Sequence, residues 1–219
     1  MNLKRNIGLS LCLIALLSGC NSGSSNSSNS SSSNITAAAT VVTVERGAVL
    51  DASVKDANGE IAIVESKNTY KFTKEIGYPI TVTGGFIDVD DSGDKSVGDV
   101  QLTIPLMTYS GTNITLITTA IADSNETIRN EKLEALANSL GTTKEELLKL
   151  PSQSYDSSIL SNELYSVLTN DTNLELKQII SDLNINGIST NFKSKKSAID
   201  TSLPPKSFAL NLEQEYINK

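Results

Sequence analysis

The apolar pattern of the chain changes period once. Between residues 41 and 121, short runs of Val, Ile, Tyr and Phe alternate with turn residues. After Ser124 the apolar positions recur three and four residues apart. Alternation sends successive side chains to opposite faces of a strand, whereas three/four spacing lines one face of a helix. The pattern therefore predicts an α+β chain, with strands first and helices after them. Asn58-Gly59, between "DASV" and "IAIV", is a hairpin signal. Tyr70 and Phe72 fall on one strand face. Ile80 and Val82 share another, with Thr81 and Thr83 opposite. Gly84-Gly85 breaks this run. "VQLTIPLMTYS" and "NITLITTAIA" continue as strands, with Pro105 suited to an edge or a bulge.

In the second part, Leu133, Leu136, Ala137 and Leu140 form a helix face closed by Gly141. Thr142 or Thr143 starts a short helix with Glu145 or Glu146 completing a capping box, and Pro151 ends it. Leu160, Leu164, Val167 and Leu168 predict a third helix, and Leu176, Ile179, Ile180 and Leu183 a fourth. Helical segments totalling roughly 60 residues would be marginal alone, so they are expected to pack on the strands. "STNFKSKKSAIDTSLPPKS" reads as loop, its Lys195-Lys196 as solvated charge. "FALNLEQEYI" fits a strand or a last helix.

The N-terminus adds an address. Lys4 and Arg5 precede the apolar run Ile7 to Leu17, which is of signal-peptide length and too short to span a bilayer as a helix. It ends in Leu17-Ser18-Gly19-Cys20, which resembles a bacterial lipobox. The resemblance implies a signal peptide over 1–19 and a covalent lipid on Cys20. Buried acyl chains contribute ~0.8 kcal/mol per CH₂, so several would anchor the chain to a membrane that it does not cross. Residue 21 is Asn; an Asp there is the inner-membrane retention signal in enteric-type sorting, so the expected location is the cell envelope, at the outer membrane rather than the inner. Residues 20–40 then hold the lipidated Cys and a tether of Ser, Asn and Gly, a composition that cannot bury apolar surface.

Composition narrows the chemistry. The chain has 18 Lys+Arg, 25 Asp+Glu and a net charge of −7, which becomes −9 without Lys4 and Arg5. Nucleic acid is therefore not an expected partner. With no His, the Ser-His and Cys-His pairs and His-based zinc sites are excluded. With Cys20 acylated and Cys12 in the signal, no thiol remains. The absence of Trp and the scarcity of aromatics disfavour a sugar-binding cleft, and no glycine-rich phosphate loop is present.

The sharpest chemical feature is "DVDDSGDKSVGD", residues 88–99, with five carboxylates in twelve positions. An EF-hand loop takes ligands at positions 1, 3, 5, 7, 9 and 12, with Gly sixth. Counted from Asp88, these are Asp88, Asp90, Ser92, Asp94 (through its carbonyl), Ser96 (through water) and Asp99, with Gly93 sixth. Position 8 is Lys95 where an apolar residue is usual, and position 12 is Asp where Glu is usual. A register from Asp90 places Val97 eighth but loses the glycine, so the register from Asp88 is preferred. Calcium is the expected cofactor. The plain structural alternative is an acidic turn between two strands.

"GAVLDASVKDANG", "NTYKF", "PITVTGG", the Asp-rich turn, "TLITTAIA" and "ANSLGTTKEELLKLP" follow one another in an order that resembles a module of bacterial surface lipoproteins and large adhesin-like proteins. In that family a carboxypeptidase-regulatory-like or Cna-B-like β-sandwich runs into small helices. The resemblance covers about residues 41–170. It implies a transthyretin-like or Ig-like β-sandwich over 41–123, a helical subdomain over 124–186 packed on it, and a tail over 187–219. It also implies a noncatalytic envelope protein acting in adhesion, assembly or scaffolding on a protein partner that the sequence does not name. The competing expectation is a carboxylate-dependent hydrolase using the 88–99 turn, with Asp88 and Asp90 on one face.

Overall fold

The computed structural model describes residues 39–170, 175–184 and 187–217. The signal peptide, Cys20 and nearly all of the 20–40 tether lie outside the described residues. Those that are described belong to one compact unit.

The chain is α+β, and the order is the one the change of period predicts. Ten short strands come first: β1 Thr40–Val44, β2 Val49–Leu50, β3 Ser53–Lys55, β4 Ile63–Ser66, β5 Thr69–Phe72, β6 Ile80–Thr83, β7 Phe86–Ile87, β8 Val100–Gln101, β9 Leu106–Thr108 and β10 Asn113–Ile114. They form three small sheets, ordered β10-β1-β5-β4, β2-β7-β8 and β3-β6-β9. β1 runs antiparallel to β5 and parallel to β10. Val42 and Val44 of β1, Tyr70 and Phe72 of β5, and Ile80 and Val82 of β6 are all fully buried. The Tyr70 hydroxyl donates to the Val49 carbonyl at 2.8 Å and accepts from the Ala52 N–H at 3.0 Å, so its polar end is satisfied inside the core. At Asn58-Gly59 the chain turns, with Gly59 at φ 89° and the Ala62 N–H returning to the Val54 carbonyl, but the expected hairpin is not extended: β3 and β4 join different sheets and only the bridge Lys55–Ile61 links the two sides.

Among the described residues seven helices follow: α1 Leu116–Ala120, α2 Glu126–Leu140, α3 Lys144–Leu148, α4 Tyr155–Asn170, α5 Leu176–Ser181, α6 Ile188–Ser197 and α7 Pro205–Ile217, with a 3-10 turn at Pro151–Gln153. Gly141 closes α2 in the left-handed conformation, φ 68°, and Thr143 caps α3 by accepting from the Glu146 N–H. α4 is the central helix. Its apolar Ile159, Leu160 and Leu164 are fully buried, and several of its buried polar residues have partners. Ser157 and Ser158 donate to the carbonyls of Lys149 and Pro151. Asp156 pairs with Lys196 at 2.6 Å and Glu163 with Lys195 at 2.7 Å. One apolar cluster joins strand residues such as Val42 and Phe72 to Leu160 and Leu164 of α4 and to Phe192 of α6.

Two expectations change and an open one is resolved. "TLITTAIA" is not a strand but helix α1. Thr115 accepts from the Thr118 N–H at 3.2 Å, while its own N–H donates to Thr118 Oγ1 at 2.9 Å. Thr119 Oγ1 accepts from the Met107 N–H at 2.9 Å, so these β-branched residues supply caps and an edge partner for β9. With Leu116, Ile117 and Ala120 all buried, the run shows no polar face that could reveal its period. Lys195 and Lys196 are not solvated loop residues. They end α6 and neutralise the buried carboxylates of α4. The last segment is a helix, α7, opened by Pro205 at its first position.

Phe192 is fully buried where α6 meets this core. Phe192→Ala is expected to cost about 3–5 kcal/mol, with strand and helix signals lost in one denaturant transition. A loss below about 1 kcal/mol, or two separate transitions, would contradict this packing.

Candidate metal centre

Strands β7 and β8 pair antiparallel, Phe86 opposite Gln101 and Ile87 opposite Val100, so residues 88–99 form the closed loop of a hairpin. Both ends are held. The Asp88 N–H donates to the Ala48 carbonyl at 2.8 Å, and the Leu102 N–H to the Gly85 carbonyl at 3.0 Å. Inside the loop, Gly93 turns the chain at φ 82°, and a Cβ there would meet the Lys67 side chain at 2.4 Å. The positive φ favours glycine at the sixth position, while the Lys67 chain end is flexible and could move aside.

The loop brings Asp88, Asp90 and Asp99 together, each offering a carboxylate oxygen within 4.8 Å of the others. Asp88 is fully buried and accepts the N–H groups of Ser92 (3.0 Å) and Gly93 (2.8 Å). Asp90 accepts the Ser92 N–H at 3.0 Å, and Asp99 those of Val89 (3.2 Å) and Ser96 (2.7 Å). Burial pushes the Asp88 carboxyl up, while the Ser92 hydroxyl and N–H hold Asp90 down, to about 2. The Ser92 hydroxyl also lies 2.8 Å from the Asp94 carbonyl, so its one proton has two acceptors. Ser96 Oγ is buried and makes no hydrogen bond of normal geometry.

Of the six residues that the spacing selects, three contribute converging carboxylates. Asp94 offers its carbonyl on the loop, and its carboxylate is not among the converging set. Asp91 stands apart: it takes Lys206 at 2.6 Å and Lys67 at 3.7 Å. Among the described residues no ion pair reaches Asp88, Asp90 or Asp99. The position-8 residue has a role that the sequence hid, since the Lys95 ammonium sits 3.5 Å from the centroid of the Phe86 ring and pins the loop by cation–π contact. Val97, the anchor in the other register, is wholly exposed.

Beside this loop is a cavity of about 200 Å³ that sequence reasoning missed. It is lined by Glu45 and Gly47 from the β1–β2 turn, by Lys67 and Asp88, and by Lys206 and Glu213 of α7. Glu45 is buried and accepts the Ser152 N–H (2.5 Å) and hydroxyl (3.0 Å). Glu213 is paired with the buried Arg46 at 3.5 Å. Burial outweighs that pairing and pushes the Glu213 carboxyl up to about 7. In sequence, "ERG" reads as an ordinary charged turn, and nothing in the pattern announces its partners.

No family model matches the chain, and no curated protein or solved structure matches it.

Glu213 has a consequence for stability. Its folded pKa is raised, so between about pH 4.5 and 7 the folded state holds a proton that the unfolded chain has released. Its contribution is full below pH 4.5 and is lost as pH rises through 7, on the order of 3 kcal/mol in all. Glu45 and Asp88, also raised by burial, act in the same sense. Asp90 acts oppositely, losing stability as pH falls from 3.8 towards 2. Denaturant midpoints measured from pH 4 to 8 are expected to fall with rising pH, and Glu213→Gln should make that fall shallower. An unchanged slope in the variant would mean that Glu213 is ionised throughout.

Proposed function

We propose that the chain is a noncatalytic, lipid-anchored envelope module whose 88–99 loop takes up calcium, and that it serves adhesion, assembly or scaffolding. The observation that carries the calcium reading is the convergence of Asp88, Asp90 and Asp99, positions 1, 3 and 12 of the loop, around a turn with glycine sixth. The donor chemistry fits a hard cation that takes six to eight oxygens: three carboxylates, the Asp94 carbonyl, and the serine hydroxyls of the loop. Because the three carboxylates lack lysine or arginine partners among the described residues, a divalent ion would relieve their mutual repulsion. Asp at position 12 gives a shorter reach than Glu, which favours an affinity of ~10⁻⁴–10⁻³ M, the range of extracellular modules. In this reading the three small sheets form a β-sandwich of transthyretin-like or Ig-like type on which the helices pack.

The noncatalytic part draws support from the same geometry. Asp88, Asp90 and Asp99 are all tied to backbone N–H groups of their own loop, an arrangement that holds a shape and leaves them poorly placed to move protons. The lipid anchor rests on the order of charge, apolar run, small residues and Cys20 in the sequence.

Two experiments test the two halves. At 10 mM calcium and an affinity in the stated range, binding should stabilise the fold by about 1.4–2.7 kcal/mol over a chelator control. Asp88→Ala with Asp90→Ala should abolish the difference. No calcium effect, or one that survives both substitutions, would reduce the loop to an acidic turn. Separately, Cys20→Ser should move the protein from membrane to soluble fractions, and unchanged membrane partition would remove the anchor.

A further inference from the structure

The cavity beside α7 is independent of the calcium loop in all but its shared wall residue, Asp88. Three carboxylate residues line it that are almost fully inaccessible to water: Glu45 at 4% exposure, Asp88 at 0% and Glu213 at 4%. The lysines on its rim, Lys67 and Lys206, are about half exposed and are already engaged by Asp91. Glu213 is the least satisfied member. Its Oε1 meets Arg46 at 3.5 Å, while its Oε2 is buried with no hydrogen-bond partner among the described residues. A buried carboxylate oxygen without a donor is costly, and the oxygen has no freedom to turn away. Gly47 is pressed against it so closely that a Cβ would sit 2.5 Å from Oε2.

The buried Glu213 Oε2 without a donor calls for one, and a cation brings donor and charge together. Carboxylates that hold a metal converge, and the one group of described residues that does so is Asp88, Asp90 and Asp99. Glu45 and Glu213 are spread along the cavity wall instead. The remaining wall carries Ala48, Leu150, Ala209 and Leu210, which suit a hydrocarbon stem. An ammonium group brings three donors on such a stem. We propose that this cavity binds a primary alkylammonium group, its nitrogen directed to Glu213 and Glu45 and its stem against the apolar wall.

Two sources carry that chemistry, a free small amine and the lysine side chain of a partner protein. Calorimetry and amide chemical shifts on the full chain would test the proposal with n-butylamine, with Nα-acetyl-lysine amide, and with 1-butanol as the uncharged control. Each would be run with calcium and again with chelator, so that a failure of the loop reading does not count against the cavity. Saturable binding of an amine, with shifts at Gly47 and Ser152 and none from butanol, is the expected result. If butylamine alone binds, the source is a small amine; if the lysine amide alone binds, it is a protein side chain. Glu213→Gln should weaken binding at least about tenfold, the scale of one charge-assisted hydrogen bond. Should that variant fail to fold, Glu45→Gln provides the same reading. No saturable amine binding, butanol binding equal to butylamine, or undiminished binding in the folded variants would each overturn the proposal.

Discussion

The structure depends on one buried cation. Arg46 leaves the turn after β1 and is only 3% exposed. A guanidinium out of water is tolerable only where fixed groups replace its hydration. Here Glu213 of α7 approaches at 3.5 Å, the Tyr165 ring of α4 lies 4.1 Å from the guanidinium carbon, and the side-chain Oδ1 of Asn162 on α4 accepts at 3.5 Å. None of these groups comes from the strands. The β part therefore carries a buried charge that these groups of the helical part help to solvate, which couples the ordering of the two. Removing one partner of such a pair leaves an uncompensated buried charge, which typically costs 3–5 kcal/mol.

The same contact builds the cavity and its wall. Glu213 reaches Arg46 across Gly47, where a Cβ would press on the Glu213 carboxyl, so α7 lies close over the β1–β2 turn. A second tether fixes the beginning of α7: Lys206 and Lys67 share Asp91, which follows the acidic-loop residue Asp90. That exposed pair contributes little by itself, since surface ion pairs are worth ~0–1 kcal/mol. Its effect is positional, because it connects the acidic loop to the helix that closes the cavity. Loop and cavity then meet at Asp88, which belongs to the loop and also lines the cavity.

How far the sequence reveals this depends on whether the signal is local. Tyr70 and Phe72, or Leu133, Leu136 and Leu140, carry their period within a few residues, and burial follows it. The acidic loop is legible for the same reason: Asp88, Gly93 and Asp99 are one turn of chemistry, twelve residues long. What is hidden is what needs a distant partner. α1 is an apolar run without a period, and only Met107 and the Thr115–Thr118 cap make it a helix. α6 looks like a lysine-rich loop until Asp156 and Glu163 of α4 receive its charges. Glu45 and Arg46 are separated from Glu213 by well over a hundred residues, and no spacing rule joins them.

The loop also shows why a cation here would tune the molecule and leave the fold unchanged. In small metal-folded domains the ligands have no other reason to converge, so binding free energy is folding free energy. In this chain the convergence is made by the backbone. Five N–H contacts reach Asp88, Asp90 and Asp99 from within residues 89–96, and the β7–β8 hairpin closes around them. Hydrogen bonds to ionised groups contribute about 1.5–3 kcal/mol each, so the shape is held without an ion. Preorganisation of this kind lowers the ordering cost of binding. It also limits how much structure a cation can recruit. The response to calcium would then travel along what the loop already touches: the Asp91 tether to Lys206, α7, and the Glu213–Arg46 contact under it.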